Sequence, residues 1–255
     1  MAEPLRILLF DLETAPLLAH VWRPDDAYIP NERMLHDSFI LCWGAKWRHQ
    51  KTVMTGVLTP KEAVAQDDSR IVQELADLIR EADIIVAHNA DRFDVPMFNN
   101  RLLLLGQEPI GPVKTLDTLT LARRNFRLSH NNLDYLGRVL GLGTKIKTDF
   151  ALWRRCYLGE ASALERMRVY NRRDVILLGE VFERLLPYVR NLPRLVEASH
   201  AGEMACPSCG KSKLIKRGVY RSSVSTFQKM QCVFCGRYPR YRTSEPENKL
   251  GLAPL

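Results

Sequence analysis

The sequence predicts an α/β domain with a mixed central sheet flanked by helices, followed by a small cysteine-bound module. Three observations predict it. Apolar strand-like runs crowd the beginning of the chain, strands and amphipathic helices then alternate up to a long helix that stops before Pro187, and four of the six cysteines form two CxxC pairs beyond residue 205. Strands first and alternating elements afterwards describe a mixed sheet covered by helices. A chain of 255 residues is long enough for one full-sized core and a small appendage.

The elements follow in order. Strands are predicted over Leu5–Leu12, Ser38–Trp47 and Thr52–Leu58. The stretch DSRIVQELADLIREA is an amphipathic helix, with Ile71, Leu75 and Leu78/Ile79 on one face. Asp83–Ala87 is a short buried strand. A helix runs from about Asp94 to Leu105, with Pro96 in its first turn and Gly106 ending it. Val113–Leu116 is a further strand, Asn132–Leu142 a helix, and Ser162–Leu186 the long helix. The expected domains are residues 1–190, a linker over 191–205, a cysteine module over 206–243 and a tail over 244–255.

Bulk properties narrow the function. No apolar run approaches the ~20 residues needed to span a bilayer, and the N-terminus has early acids and too short an apolar run for a secretion signal. Cysteines paired as CxxC, with Cys42 and Cys156 alone, fit metal binding in a reducing cytoplasm rather than a disulfide framework. The net charge of +8 is unevenly placed: residues 1–203 carry 27 Lys and Arg against 27 Asp and Glu, residues 204–243 carry nine bases and no acid, and the tail is −1. The basic signal therefore belongs to the cysteine module alone and points to a phosphate-rich partner.

The chemistry begins in ILLFDLETAP. Residues i and i+2 of a strand share a face, so Asp11 and Glu13 point the same way from the end of an apolar strand. Two carboxylates about 4 Å apart repel by roughly 4 kcal/mol at an effective dielectric near 20. A second stretch, IIVAHNADRFDVPMF, puts Asp94 at a helix entrance, where, taken alone, a carboxylate more commonly serves as a cap than in catalysis. In the long helix the apolar row Leu164, Met167, Tyr170, Leu177/Leu178, Val181 and Leu185 includes Asp174, one turn after Tyr170. A buried charge there needs a partner. Arg172 and Arg173 point to other faces, and a metal ion is the simpler partner. Four converging carboxylates with two divalent cations make a site that activates water on one side and stabilises a leaving oxygen on the other. Hard oxygen ligands favour magnesium or manganese.

These motifs carry a resemblance. FDLET, HNxxxFD and YxxxD, in that order, resemble the three motifs of the DEDD 3′–5′ exonuclease superfamily in its tyrosine form, similar to the proofreading domain of family-B DNA polymerases and to ribonuclease D. Asp11 and Glu13 match the first motif, Asn89, Phe93 and Asp94 the second, Tyr170 and Asp174 the third. The histidine form would need His at position 169, which is Val169. The resemblance implies a ribonuclease H-like fold over most of residues 5–187, two divalent metals held by Asp11, Glu13, Asp94 and Asp174, and release of nucleoside monophosphates from 3′ ends. It also implies that Asp11 bridges both metals and that the Tyr170 hydroxyl orients the attacking water.

Asn89 and Phe93 are the substrate-binding candidates, Asn89 as a hydrogen-bonding group or a loop tie, Phe93 as a stacking platform or, more simply, a core residue. His88 reads as a loop residue or a catalytic one, and Asp117 as a supporting aspartate. Arg123, Arg124, Arg127, Lys145 and Lys147 read either as lining the approach or as a solvated surface.

Cys206, Cys209, Cys232 and Cys235 form two knuckles with 22 residues between, each closed by a glycine, Gly210 and Gly236, able to adopt positive φ. Four thiolates close a tetrahedral structural zinc site, and the module looks like a zinc ribbon. Lys211, Lys213, Lys216, Arg217, Arg221, Lys229, Arg237, Arg240 and Arg242 are interleaved with Tyr220, Phe227, Tyr238 and Tyr241, which favours nucleic-acid contact. The expectation is thus a two-metal 3′–5′ exonuclease acting on DNA, anchored by the ribbon, working alone or with a separate polymerase or replication and repair protein, and with no membrane partner. The alternatives carried are a 3′–5′ exoribonuclease in RNA processing or decay and a catalytically inactive zinc-ribbon nucleic-acid-binding protein.

Overall fold

The computed structural model describes residues 5–23, 25, 28–189, 192, 193, 195, 205–223 and 225–241. Most of the expected linker over 191–205, Arg242 and the tail over 244–255 lie outside the described residues. The chain divides into two compact units, Arg6–Phe182 and one formed of Met1–Leu5 with Glu183–Leu255. That boundary falls inside the last long helix, earlier than the one expected at residue 190.

The larger unit is a mixed α/β fold. Its strands are β1 (Ile7–Thr14), β4 (Ile40–Trp47), β5 (Met54–Val57), β6 (Ile84–Ala87) and β7 (Lys114–Asp117), with a small pair β2 (Leu18–Ala19) and β3 (Met34–His36) inserted after β1. Its helices are α1 (Pro60–Ala65), α2 (Ser69–Arg80), α3 (Asp94–Leu104), α4 (Thr118–Asn125), α5 (Leu133–Val139), α6 (Phe150–Tyr157) and α7 (Ala161–Leu185). The sheet order is β5-β4-β1-β6-β7. β1 lies in the centre, antiparallel to β4 and parallel to β6, which in turn is parallel to β7. A strand buried on both faces must be apolar throughout, and Ile7 to Phe10 are each no more than 1% exposed.

α2 buries the face expected of it, Ile71, Val72, Leu75, Ala76 and Ile79. Its entrance shows a use of charge that periodicity cannot reveal. Asp68 makes no cap bond within the helix. Its fully buried carboxylate instead accepts from the Ile40 amide at 2.8 Å and from Arg101 at 2.8 and 2.7 Å, joining α2, β4 and α3 at one point. α7 is the long helix expected, and it supplies Tyr170, Asn171 and Asp174. The unforeseen elements are short: β2, β3, α1, α4 and α6. α4 begins where Asp117 accepts hydrogen bonds from the Leu119 and Thr120 amides, a cap that follows β7 directly. Among the described residues no helix is long and apolar enough to cross a membrane.

Candidate active site

β1 and β6 run parallel and side by side, so the residues leaving their carboxyl ends meet. From β1 come Asp11 and Glu13. The register pairs Asp11 with Gly44 and Glu13 with Cys42, and a bulge follows between Glu13 and Thr14. From β6 the chain passes through His88 and Asn89 into α3, whose first residue is Asp94. α7 crosses the same end and adds Tyr170 and Asp174.

Carboxylate oxygens of Asp11, Glu13 and Asp174 lie within 4.8 Å of one another. Asp94 stands outside that triplet. It is 1% exposed and its Oδ1 accepts from the Leu12 amide at 3.3 Å, so it sits against the same strand. It is also the strongest like-charge neighbour of Asp11. Burial, with the other acids adding to it, raises Asp11 well above the usual carboxylate range. Burial likewise lifts Glu13 to about 8 and Asp94 to about 7, and it raises Asp174. Four acids that resist ionising in isolation are a cluster built to face positive charge.

The chain itself supplies one partner for Asp174, whose Oδ2 lies 2.5 Å from the Lys145 ammonium. Lys145 also donates to the Tyr170 hydroxyl at 3.3 Å, and its acidic neighbours hold its pKa well above the lysine range. Lys145 is therefore part of the site rather than a residue of its approach or of a solvated loop. One lysine against four acids leaves room for divalent cations. The Asp174 oxygens, sealed from solvent, have no hydrogen bond of ordinary geometry among the described residues. The donor set fits hard oxygen-seeking cations: Asp11, Glu13 and Asp174 as the gathered ligands and Asp94 beside them.

The loop carrying Lys145 is pinned at successive positions. Arg173 donates to Leu142 O at 3.1 Å and Thr144 O at 3.4 Å, and the Lys145 amide donates to Asp134 Oδ1 at 2.9 Å. Sequence spacing gives no sign of this, because Lys145 lies outside every element and 29 positions before Asp174.

Tyr170 is 7% exposed and packs edge-on against Trp153, ring centres 5.8 Å apart. Burial raises its hydroxyl above the usual phenol range, so it stays protonated near neutrality. A cleft of about 390 Å³ adjoins this corner, lined by Thr14, Pro16, Thr148, Asp149, Phe150 and Trp153. Neither Trp153 nor Phe150 was singled out in the sequence, since α6 itself was not foreseen.

Asn89 adopts φ +74°, a left-handed conformation that Asn tolerates better than most residues. Its main-chain N–H donates to Asp117 Oδ1 at 2.9 Å, the same oxygen that caps α4, so Asp117 supports the turn. Phe93 is 40% exposed, which overturns its reading as core. His88 behaves as a loop residue: Nδ1 lies 2.9 Å from Thr118 Oγ1, and burial lowers its pKa to about 4. Arg123, Arg124, Arg127 and Lys147 are exposed. The lone cysteines are packing residues, Cys42 and Cys156 both buried, with burial pushing Cys156 up to about 12.

In the second unit the hairpin of β8 (Leu214–Arg221) and β9 (Thr226–Cys232) spans the gap between the knuckles. Cys206, Cys209, Cys232 and Cys235 bring their sulfurs within 4.8 Å of one another, and all four are free thiols. Gly210 and Gly236 take φ of +75° and +71°, donating to Cys206 O and Cys232 O in the two turns. Four sulfurs converging without disulfides suit one zinc ion closed to water. Several of the aromatic rings expected to be free for stacking are already in use. Arg240 lies 3.9 Å from the Phe227 ring centre and 5.3 Å from that of Tyr220, and Lys229 is 5.9 Å from that of Tyr238.

No curated protein matches the chain in sequence. Among solved structures the fold is similar to the family B DNA polymerase from the hyperthermophilic archaeon Pyrobaculum calidifontis, at 19% identity and a TM-score of 0.50. The match covers 72% of this chain and 25% of the polymerase, so the chain spans about a quarter of that protein's length, and at this identity the likeness concerns fold alone. Residues 34–186 match a family described as the RNase H superfamily. That span holds β3 to α7, including four of the five strands of the main sheet but not the central β1, and three of the five site positions, Asp94, Tyr170 and Asp174. The chain belongs to the RNase H superfamily.

Proposed function

We propose that this protein is a nuclease that removes nucleotides from the 3′ ends of DNA with two magnesium or manganese ions, and that its cysteine module is a zinc ribbon that grips the nucleic acid. Membership in the RNase H superfamily supports a nuclease, and the likeness in fold to a DNA polymerase favours DNA. The observation that carries the reading is the meeting of Asp11, Glu13 and Asp174 within 4.8 Å, with Asp94 against the same strand and Tyr170 one turn before Asp174. In this reading residues 1–190 form the nuclease domain and 206–243 the ribbon.

Bound cations would supply Lewis-acid activation of water and charge stabilisation at the departing oxygen. The chain's own groups do the rest. The Tyr170 hydroxyl accepts from Lys145 and stays protonated beside the Asp174 carboxylate, placed to orient a water molecule there. The Lys145 ammonium adds positive charge beside a scissile phosphate. Exposed Phe93 offers a ring to the terminal base, and Asn89 is held by Asp117 in a fixed turn beside it. The cleft walled by Phe150 and Trp153 adjoins Glu13 and has an apolar lining suited to a nucleoside.

The test is digestion of matched 5′-labelled DNA and RNA oligonucleotides in magnesium or manganese. The expected result is a ladder shortening from the 3′ end, faster on DNA, with nucleoside monophosphates as products and no cleavage of a 3′-phosphate-blocked strand. Faster digestion of RNA would transfer the assignment to an exoribonuclease. No digestion of either, with both nucleic acids still bound, would leave an inactive binding protein.

A further inference from the structure

We propose that Asn171 is a positioning residue that holds the Asp11 carboxylate in its cation-binding pose, and that Gly44 is glycine to make room for it. The inference rests on the proposed function and adds to it a residue that none of the three motifs names as acting. Asn171 directly follows Tyr170 on α7 and is fully buried. An amide in such a place costs free energy unless its polar atoms are used. Its Nδ2 donates to Asp11 Oδ2 at 2.8 Å and to the Asp11 main-chain oxygen at 3.3 Å. The two bonds grip the same residue at backbone and side chain, fixing the direction in which the carboxylate leaves β1. With Oδ2 engaged, Oδ1 would remain for a cation held by the Asp11, Glu13 and Asp174 carboxylates.

The other half of the amide shows what this arrangement gives up. Among the described residues Asn171 Oδ1 is buried without a hydrogen-bond partner. Turning the amide over would set that oxygen against both Asp11 acceptors, so its orientation is dictated by Asp11 and the orphan oxygen is the consequence. A residue selected only for packing α7 on the sheet would be apolar and would have no orphan. Gly44 supplies the second, independent observation. It is the register partner of Asp11 on β4. A Cβ there would lie 2.4 Å from Asn171 Oδ1 and 2.9 Å from Val175 Cγ2. Glycine weakens a strand interior and marks a close approach, and what approaches here is the amide that holds Asp11.

The experiment compares wild type, Asn171→Leu and Gly44→Ala as full-length, zinc-loaded protein. Mn²⁺ binding is followed by calorimetry, DNA digestion across a manganese series, and folding by circular dichroism. Groups outside the immediate ligands tune metal affinity by about 10–100-fold. The expected result for Asn171→Leu is Mn²⁺ binding weaker by about tenfold or more. Its half-saturating manganese for digestion should rise in parallel, and digestion at saturating manganese should recover most of the wild-type rate. Gly44→Ala, which keeps the amide and displaces it, should move the same two quantities in the same direction. If Asn171→Leu does not fold, Asn171→Ala takes its place, because it removes the amide and only reduces volume. Wild-type Mn²⁺ affinity in the Asn171 variant overturns the inference and leaves the amide a tie between helix and strand. A wild-type protein that binds no Mn²⁺ overturns the proposed function as well, so the two failures are distinguishable.

Discussion

Removing divalent cations should make the stability of the nuclease unit fall as the pH rises, the reverse of ordinary acid denaturation. Burial lifts Glu13 to about 8 and Asp94 to about 7, whereas the same groups in an unfolded chain ionise near 4.5 and 3.8. Between those limits the folded state holds protons that the unfolded state has released. Stability from these groups is fully present below about pH 4 and is lost as the pH climbs through 7 and 8. From pH 6 to pH 9 the loss covers two units for Glu13 and one for Asp94. At about 1.4 kcal/mol per unit this is about 4 kcal/mol at most, and on the order of 2 kcal/mol once the surrounding groups relax around the ionised acids. Lys145, held far above its usual range, stays charged throughout. For a domain of this size the change corresponds to a fall in Tm of about 4 to 16 °C. Protein dialysed free of magnesium and manganese, with zinc retained, can be melted by tryptophan fluorescence. Trp22, Trp43, Trp47 and Trp153 all lie within Arg6–Phe182, so the signal reports that unit alone. Manganese should restore stability at pH 9 and do little at pH 6, where protons already occupy the acids. Glu13→Gln should flatten the profile by more than half. A Tm that is constant or rising from pH 6 to 9 without metal would refute the reasoning, as would an equal gain from manganese at both ends.

Further outcomes can be checked with the same protein. Asp11→Ala, Glu13→Ala, Asp94→Ala and Asp174→Ala should each lower digestion by about a hundredfold or more while circular dichroism shows a folded chain. Any one that keeps wild-type turnover in saturating magnesium removes that residue from the site. Tyr170→Phe keeps the ring against Trp153 and loses only the hydroxyl, so the rate should fall by roughly tenfold, the worth of one hydrogen bond. Arg101→Ala strands the Asp68 carboxylate in the core and should cost about 3–5 kcal/mol of stability, read as a lower urea midpoint with manganese affinity unchanged. Cys232→Ser should release zinc and reduce the salt dependence of DNA binding, whose slope changes by about 0.7–0.9 for each phosphate contact. Equal slopes with and without the mutation would separate the ribbon from nucleic-acid binding.

How far the site could be read from sequence depended on where its residues stand. Asp11, Glu13, Tyr170 and Asp174 lie on elements with a clear period, β1 and α7, and the period alone sets each pair on one face. The order of the main strands and the amphipathic face of α2 were legible for the same reason. Lys145 was not assigned to the site, because it belongs to a loop whose path is fixed by Arg173 and Asp134 rather than by local pattern. Phe93 was left between core and stacking platform, because an apolar side chain at a helix entrance looks like core until the exposed face of the turn is known. α6 went unforeseen, and Trp153 and Phe150 with it, since eight residues carrying two arginines give too short a stripe to stand out. Asp68 shows a further limit. It stands where a helix cap belongs, yet it forms the buried end of an ion pair with a residue 33 positions away.

The pinned loop between α5 and α6 also bears on how such chains can diverge. Within four residues Leu142 and Thr144 are held at their main-chain oxygens by Arg173, and Lys145 is held at its main-chain amide by Asp134 and at its ammonium by Asp174. Most surface connections accept insertions readily, because lengthening them costs little entropy. This one has no slack to absorb a change. A single residue inserted between Leu142 and Lys145 would carry the ammonium off Asp174 by roughly 3.5 Å, the span of one extended residue. A homologue with a longer or shorter connection would therefore have to draw its counter-charge from another segment, or leave Asp174 to be neutralised by metal alone.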